Sequence, residues 1–559
     1  MLQKGDWILN IGVLGTSNSI LKEGWVPALE AISAPEDSVL NYSCGANCSA
    51  YGLYALDHFK ILDSVDSLVI DFTLNDQGFC DAGILEYGEV ESYYYNLVKR
   101  ICESGVKPVS VLFFNQKYID KDSFPVRDMH IDICRHFGVE VIDLFSIVNH
   151  LKTDHNPNTF FQDPAHLGPH FSKHVAVLVR DYLKSLTMDE RERRPNAPSP
   201  RVFRGVSLAA EFPGLPKVRR GTSYITHESL HLEGDNAASL PLGRVVIDSV
   251  FFRASRLNGY LSFESNGKAL SKVVAYQEQR GFFCRSVRPV FEVEGEVKLC
   301  ARNIPGAPLC ENDIHQVEPP EDAPGTFDLV GLLVRDPVPD DIEYERGASP
   351  DKQWVKRYRE SLRNVKLVLN NQLDKVDAPE SLYIAATLAA DSSLAIAAIE
   401  KALKLAGDNT YYHAQYGARL SKAKMLKKAA SALADAVRLA PGVSAHHMFL
   451  SHIHGGLGNV AAGLSAVEAA IAIKEDHSGY HHRRGNLLFQ MGNLDEAERA
   501  QNRSLELDPE AADAHFQLSR IHEKRGDLER ALSEIRTALA IKGDDSVYRA
   551  HLARLMKLG

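Results

Sequence analysis

The sequence predicts a multidomain chain: an α/β three-layer domain first, an antiparallel β-sandwich in the middle and an all-α solenoid at the end. Three observations predict it. Apolar, strand-like runs alternate with helical stretches up to about residue 186. Short β-like runs separated by Gly, Pro and Asn turns fill residues 201–340. Small and helix-breaking residues then return every 34 positions through the C-terminal third. With 559 residues, the chain exceeds what one hydrophobic core supports.

In the first segment the expected strands are 7–14, 38–42, 67–72, 107–114 and 139–144. Helical patterns cover 18–32, 90–104, 126–137 and 172–186. Strand, helix, strand repeated this way builds a parallel sheet with right-handed crossovers, covered on both faces. The domain is bounded at 1–187, and the charged, proline-rich stretch 188–200 reads as a linker. The sandwich occupies 201–340, with β-like runs at 243–253, 259–264, 272–276, 290–293, 296–301 and 327–334. Carbohydrate binding and a mere spacer role are equally compatible with it.

Residues 341–375 read as a linker and an amphipathic lead helix. Beyond them Gly407, Pro441, Glu475, Pro509 and Gly543 lie 34 apart. Ala395, Ala429, Gly463, Ala497 and Ala531 keep the same step, as do Ala402, Ala436, Ala470, Ser504 and Ala538. Small residues at a fixed period let paired helices approach closely. The pattern resembles the tetratricopeptide repeat (TPR), in five units over 376–545, with 546–559 as a capping helix. Gly417 and Gly485 match the small residue of the first helix of a pair. Such solenoids imply a protein partner or self-association through the concave face.

Composition excludes several classes. A hydrophobic fraction of 45% with 24% charged residues is that of ordinary globular protein. The net charge of −10 argues against a broad nucleic-acid surface. No apolar run approaches the roughly 20 residues that span a bilayer. The start of the chain runs into the first strand without a cleavage site, so a cytoplasmic location is expected. The eight cysteines suit a reducing compartment as buried thiols. Cys44 and Cys48 have no second pair at zinc spacing. His413, His447, His481 and His515 form a 34-residue ladder, too widely spaced on stacked helices to share an ion, so no metal site is expected.

The chemistry-bearing residues sit where the strands of the first segment end. Ser17 follows the first strand in Leu14-Gly15-Thr16-Ser17-Asn18-Ser19. Ser19 is the rival hydroxyl, one step into the helix. Asp163 precedes His166 by three residues, just ahead of the last helix. Imidazole is the side chain suited to taking a serine proton near neutral pH, and a carboxylate on its other nitrogen fixes the tautomer. Gly45, after the second strand, and Asn75, after the third, offer a backbone and a side-chain amide to an oxyanion. Parallel strands put all four loops on one edge of the sheet.

In these residues the chain resembles the SGNH, or GDSL-like, hydrolase family over about 7–186. Gly15-Thr16-Ser17 matches the Gly-Asp-Ser block with Thr16 replacing the aspartate. Gly45 matches the second-block glycine. Thr73-Leu74-Asn75-Asp76 matches Gly-x-Asn-Asp with Thr73 replacing the glycine, and Asp163 and His166 match Asp-x-x-His. The resemblance implies a flavodoxin-like three-layer fold and acyl-ester chemistry. Ser17, Asp163 and His166 are then the catalytic set, and Ser17, Gly45 and Asn75 the oxyanion hole. Hydrolysis needs no cofactor, whereas transfer would draw on a donor such as acetyl-CoA. The expected substrate is an O-acyl group, in first place O-acetyl, on a glycan or a bacterial-type polysaccharide. The alternative is a non-catalytic TPR scaffold carrying a degenerate hydrolase-like domain.

Overall fold

The computed structural model describes residues 9–22, 24–33, 37–151, 160–186, 202–212, 214, 217–221, 226–234, 237–254, 259–276, 281–310, 316–319, 326–337, 342–347, 353–542 and 545–558. Trp7 at the start of the first expected strand, the linker 188–200 and the repeat marker Gly543 lie outside the described residues. The chain forms two compact units. One comprises Met1–Val218 and His227–Leu367, the other Arg219–Thr226 and Val368–Gly559.

The first unit opens with five parallel strands: β1 (Asn10–Gly15), β2 (Ser38–Asn41), β3 (Ser67–Asp71), β4 (Lys107–Leu112) and β5 (Glu140–Asp143). They lie in the order β2-β1-β3-β4-β5. β3 is buried along its whole length, with the apolar run Leu68-Val69-Ile70 at its centre. The strand order reverses between β1 and β3, and the crevice at their carboxyl ends is where such sheets hold ligands.

The helices are α1 (Ser17–Ile20), α2 (Trp25–Ile32), α3 (Ser49–His58), α4 (Ile61–Ser64), α5 (Thr73–Asp81), α6 (Tyr87–Glu103), α7 (Pro125–His136), α8 (Leu144–Leu151) and α9 (Pro169–Ser185). The single helix expected over 18–32 is broken in two. Leu21 turns to an extended conformation, and Gly24, also extended, starts α2. Asn75 was expected in a loop, but it lies in the first turn of α5.

The hairpin β6 (Phe161–Asp163) and β7 (His166–Leu167) precedes α9. The sheet-rich segment then contributes β8 (Phe203–Ser207), β9 (Lys217–Gly221), β10 (Thr226–Glu233), β11 (Ala238–Arg253), β12 (Tyr260–Ser265), β13 (Lys268–Val273), β14 (Phe282–Cys300) and β15 (Thr326–Arg335). A sandwich of two sheets was expected. The strands instead form one hydrogen-bonded sheet in the order β13-β12-β14-β11-β15-β10-β9, with β8 also on β15. The reason lies at Gly295, which reads as a turn between the expected strands 290–293 and 296–301. Gly243 pairs with Gly295, both at positive φ (77° and 88°), and together they form a bulge inside a continuous ladder. β14 therefore runs unbroken through two expected strands. A single core gathers Leu230, Leu240, Phe252, Phe263, Phe291 and Leu332 from five of these strands.

This sheet is joined to the α/β domain within one unit. Tyr51 and Tyr54 of α3 pack on Phe251, with ring centroids 5.2 and 5.0 Å apart. Tyr93 Oη donates to Asp248 Oδ1 at 2.6 Å. The helix Gln353–Leu369, read as a lead helix of the solenoid, also belongs mostly here. Tyr358 Oη donates to Phe171 O at 2.6 Å, and Trp354 Nε1 to Glu140 Oε1 at 2.8 Å. Its apolar stripe, Trp354, Tyr358, Leu362 and Val365, is buried against the first domain rather than reserved for repeats.

The second unit is a run of helix pairs: Pro379–Leu388 with Ser392–Leu405, Thr410–Lys422 with Leu426–Leu439, Ser444–Gly456 with Val460–Ile473, Ser478–Gln490 with Leu494–Leu507, and Ala512–Arg525 with Leu528–Ile541. Ser546–Leu555 follows. Ala395, Ala429, Ala497 and Ala531 are fully buried on the second helices. The ladder histidines have a defined task. The Nε2 of His413, His447, His481 and His515 bonds the carbonyl six residues earlier, of Gly407, Pro441, Glu475 and Pro509, at 2.9, 2.8, 2.6 and 3.3 Å. Each therefore staples the turn that enters its own helix pair. Among the described residues, no helix is long and apolar enough to cross a membrane.

Candidate active site

The loops leaving β1, β2 and β3 meet the β6–β7 hairpin at the carboxyl edge of the parallel sheet. Ser17 follows Thr16, an extended residue between β1 and the helix, and is the first residue of α1. His166 stands on β7 and Asp163 opposite it on β6, so the hairpin turn Pro164–Ala165 brings the two side chains together. The hairpin is held by Gln116 N donating to Pro164 O (2.8 Å) and Gly168 N to Phe160 O (2.8 Å), and by the buried Phe160 and Leu167.

Ser17 Oγ and His166 Nε2 are hydrogen-bonded at 2.8 Å, across 149 residues of chain. His166 Nδ1 lies 2.9 Å from both Asp163 oxygens. Burial would raise the Asp163 carboxyl. Hydrogen bonds from the Ala165 amide and from His166 outweigh it and hold the group below the usual carboxylate range. An ionised Asp163 keeps the proton on Nδ1 and leaves Nε2 free to accept one from Ser17.

Ser19 is turned away from this group. It is buried, and its Oγ donates to Asp71 Oδ2 at 2.9 Å. Asp71 ends β3 wholly buried, and burial raises its carboxyl to about 7 against the opposing bonds from Ser19 and Thr16. Gly45 packs directly beside Ser17. A Cβ on it would stand 2.9 Å from Ile20 Cδ1 and 3.9 Å from Ser17 Cβ. The backbone N–H groups of Ser17 and Gly45 have no hydrogen-bond partner among the described residues. Asn75 Nδ2 donates to Asn47 O at 2.9 Å, which ties α5 to the Gly45 loop and leaves its second N–H uncommitted.

The surroundings hold residues that spacing alone did not single out. Ser49 N donates to Asp76 Oδ1 at 2.8 Å, bracing α3 on α5. Buried His130 is hydrogen-bonded through Nδ1 to the Thr73 hydroxyl at 3.0 Å and lies stacked on Tyr94, with its Nε2 3.3 Å from Asp76. Asn47, fully buried, and Arg285 of β14, 1% exposed, both touch the Gly45 loop. Two positions after a glycine is no motif, and Arg285 comes from another domain, so neither was visible in sequence. Cys44, Cys48 and Cys284 are buried thiols outside any disulfide among the described residues. Burial raises the Cys44 thiol to about 12, which keeps it protonated.

Residues 482–546 match the family model of the tetratricopeptide repeat, and the helix pairs of the second unit form an all-helical, TPR-like region. No curated protein matches the chain. Among solved structures it is similar to MamA, at 20% identity over 30% of this chain and 96% of that one, with a TM-score of 0.28. It is also similar to YrrB, a TPR protein with an unusual peptide-binding site, at 22% identity over 34% and 97%, with a TM-score of 0.29. A two-domain esterase (CEX) active on acetylated mannans, crystallised with mannopentaose, matches 60% of this chain and 92% of its own at 16% identity, with a TM-score of 0.40.

Proposed function

We propose that the chain is a serine-dependent acyl-ester enzyme of the SGNH type, with a flavodoxin-like catalytic domain and a TPR region that docks a protein partner. The observation that carries this reading is the 2.8 Å bond between Ser17 Oγ and His166 Nε2, with Asp163 on the opposite ring nitrogen. The strand order β2-β1-β3-β4-β5 supports the same reading of the fold.

In this mechanism Ser17 Oγ attacks the ester carbonyl while His166 Nε2 takes its proton. Asp163 stabilises the imidazolium without accepting that proton. The N–H groups of Ser17 and Gly45 and the spare Asn75 N–H receive the oxyanion. His166 then protonates the leaving alkoxide, which departs as the alcohol. Water, or a second hydroxyl, resolves the acyl-enzyme, with His166 as base again. The substrate proposed is an O-acetyl group on a glycan, met as esterase or as O-acetyltransferase with acetyl-CoA as the donor.

The test is a fluorophosphonate probe and p-nitrophenyl acetate applied to the intact chain and to Ser17→Ala. The wild type is expected to be labelled at Ser17 and to turn over, and the variant to do neither. Folded wild type that is inert to both would favour the scaffold reading. Acetate release from an O-acetylated mannan without acetyl-CoA supports the esterase, and acetyl transfer that requires acetyl-CoA supports the transferase.

A further inference from the structure

We infer that the sheet-rich domain is part of the catalytic apparatus: β14 fixes the loop that presents the Gly45 amide, with Asn47 and Arg285 as positioning residues. The inference rests on the serine-ester reading above and assigns a task to a domain that the sequence left as a glycan binder or a spacer.

Loop 44–47 is tied to its own domain at two points. Cys44 N donates to Gly15 O at 3.1 Å, and Asn47 O accepts from Asn75 at 2.9 Å. The other hydrogen bonds that reach the loop from outside, among the described residues, come from β14. Cys44 Sγ donates to Phe282 O at 3.0 Å. The Asn47 amide pairs with the strand backbone as a neighbouring strand would. Its Nδ2 donates to Phe282 O at 3.1 Å, and its Oδ1 accepts from Cys284 N at 2.5 Å. The same Nδ2 reaches Gly45 O at 3.1 Å, so the group that grips β14 also orients the peptide leaving Gly45.

Arg285 completes the hold. Its Nη1 donates to Ala46 O at 2.7 Å. Ala46 adopts φ 57°, a left-handed conformation that is unfavourable for a non-glycine residue and needs support from its surroundings. The guanidinium lies 4.2 Å from the Phe283 ring centroid and 5.3 Å from that of Phe79, on the helix that carries Asn75. Both side-chain and backbone oxyanion donors are thereby referenced to one strand of the second domain. An oxyanion hole works only when its donors are fixed before charge develops, and a misplacement of about 1 Å loses on the order of 10²-fold in rate.

The experiment measures kcat and KM on p-nitrophenyl acetate for the full-length protein, alongside Arg285→Met, Arg285→Lys, Asn47→Asp and Ser17→Ala. It adds hydrogen exchange of the 44–47 amides, well below each melting temperature. Asn47→Asp keeps the size and the acceptor but turns a carboxylate oxygen toward the Gly45 and Phe282 carbonyls. Arg285→Met and Asn47→Asp are expected to lower kcat by about 10- to 100-fold with KM within about twofold. Exchange in the loop should quicken, and Arg285→Lys should recover part of the rate. If Arg285→Met does not fold, Asn47→Asp carries the comparison. Folded variants with wild-type kcat, beside an inactive Ser17→Ala, overturn the inference and leave the ester reading standing. A fall in melting temperature alone does the same. Wild-type turnover by Ser17→Ala overturns both.

Discussion

Ser19 Oγ is hydrogen-bonded to Asp71 Oδ2 at 2.9 Å, one helical step from Ser17 and facing the sheet instead of the cleft. This bond sorts the two hydroxyls of the first loop: one is committed to a buried carboxylate, the other to an imidazole. Ser19→Ala should therefore keep turnover of p-nitrophenyl acetate within a few-fold of wild type and lose about 1–3 kcal/mol of stability. The loss depends on pH. Burial pushes the Asp71 carboxyl up to about 7 in the fold, from an ordinary 3.8. Between those values the folded chain binds more protons, so this group lowers stability as pH rises. The Ser19 bond favours the ionised form, so its removal should destabilise more at pH 8 than at pH 5. Urea unfolding at both pH values measures the difference.

Asp163 is 44% exposed at its side chain, so its contribution to stability is small and its contribution to His166 is specific. Asp163→Asn keeps the volume but places an amide against Nδ1, which favours the wrong tautomer. A kcat lower by about 10²–10⁴ with an unmoved melting temperature is expected. Equal kcat in the two proteins would mean that the hairpin backbone alone orients the ring.

The parallel sheet, the 34-residue period and the Ser17, Asp163 and His166 group were legible because each leaves a local trace. Apolar runs bounded by loops mark buried strands, and a fixed step in small residues marks stacked helix pairs. What stayed hidden depends on partners distant in sequence. Gly295 looks like a turn between two strands until it is seen opposite Gly243 in one ladder. The amphipathic stripe of Gln353–Leu369 says that the helix is buried on one face, but not against which domain. The histidine ladder was visible as a period, and its use, a bond to the carbonyl six residues back, was not. Asn47 and Arg285 carry no motif, since the strand that gives them meaning lies more than two hundred residues from the loop.

Half-buried His58 and buried His227 make a pair between the α/β domain and the sheet-rich domain, with His227 Nδ1 3.1 Å from His58 Nε2. Burial lowers His58 to about 4. Burial, then the neighbouring His58, lowers His227 well below its ordinary value. Both are neutral in the fold, while the unfolded chain takes up protons near 6.5. Stability therefore falls as pH drops from 6.5 toward 4, where the unfolded state holds the extra protons. His227→Phe, among Phe59, Phe251 and Phe282, removes one of the two titrations. The melting temperature should drop less between pH 7 and pH 5 in the variant than in wild type. Parallel curves would mean that other groups govern acid unfolding.

Gly331 of β15 lies against the Tyr54 ring of α3, and a Cβ there would come to 2.6 Å from Tyr54 Cζ and closer still to its Oη. The ring cannot step aside. Tyr54 is fully buried, packs on Phe251, and shares its hydroxyl with His58 Nδ1 at 2.9 Å. Replacing the glycine gains backbone rigidity of about 1 kcal/mol, but forcing a methyl into a filled site loses about 1–3 kcal/mol, and here the obstacle is an aromatic ring. Gly331→Ala should thus be a net destabilisation, and Gly331→Val a larger one. The effect should appear in the transition that unfolds the α/β and sheet-rich domains together. Calorimetry of the full chain distinguishes this from a change in the repeats: the transition of the TPR unit should stay where it is in wild type while the other moves down. A downward shift of the TPR transition with no change in the other would show that the Tyr54–Gly331 contact does not couple the two domains.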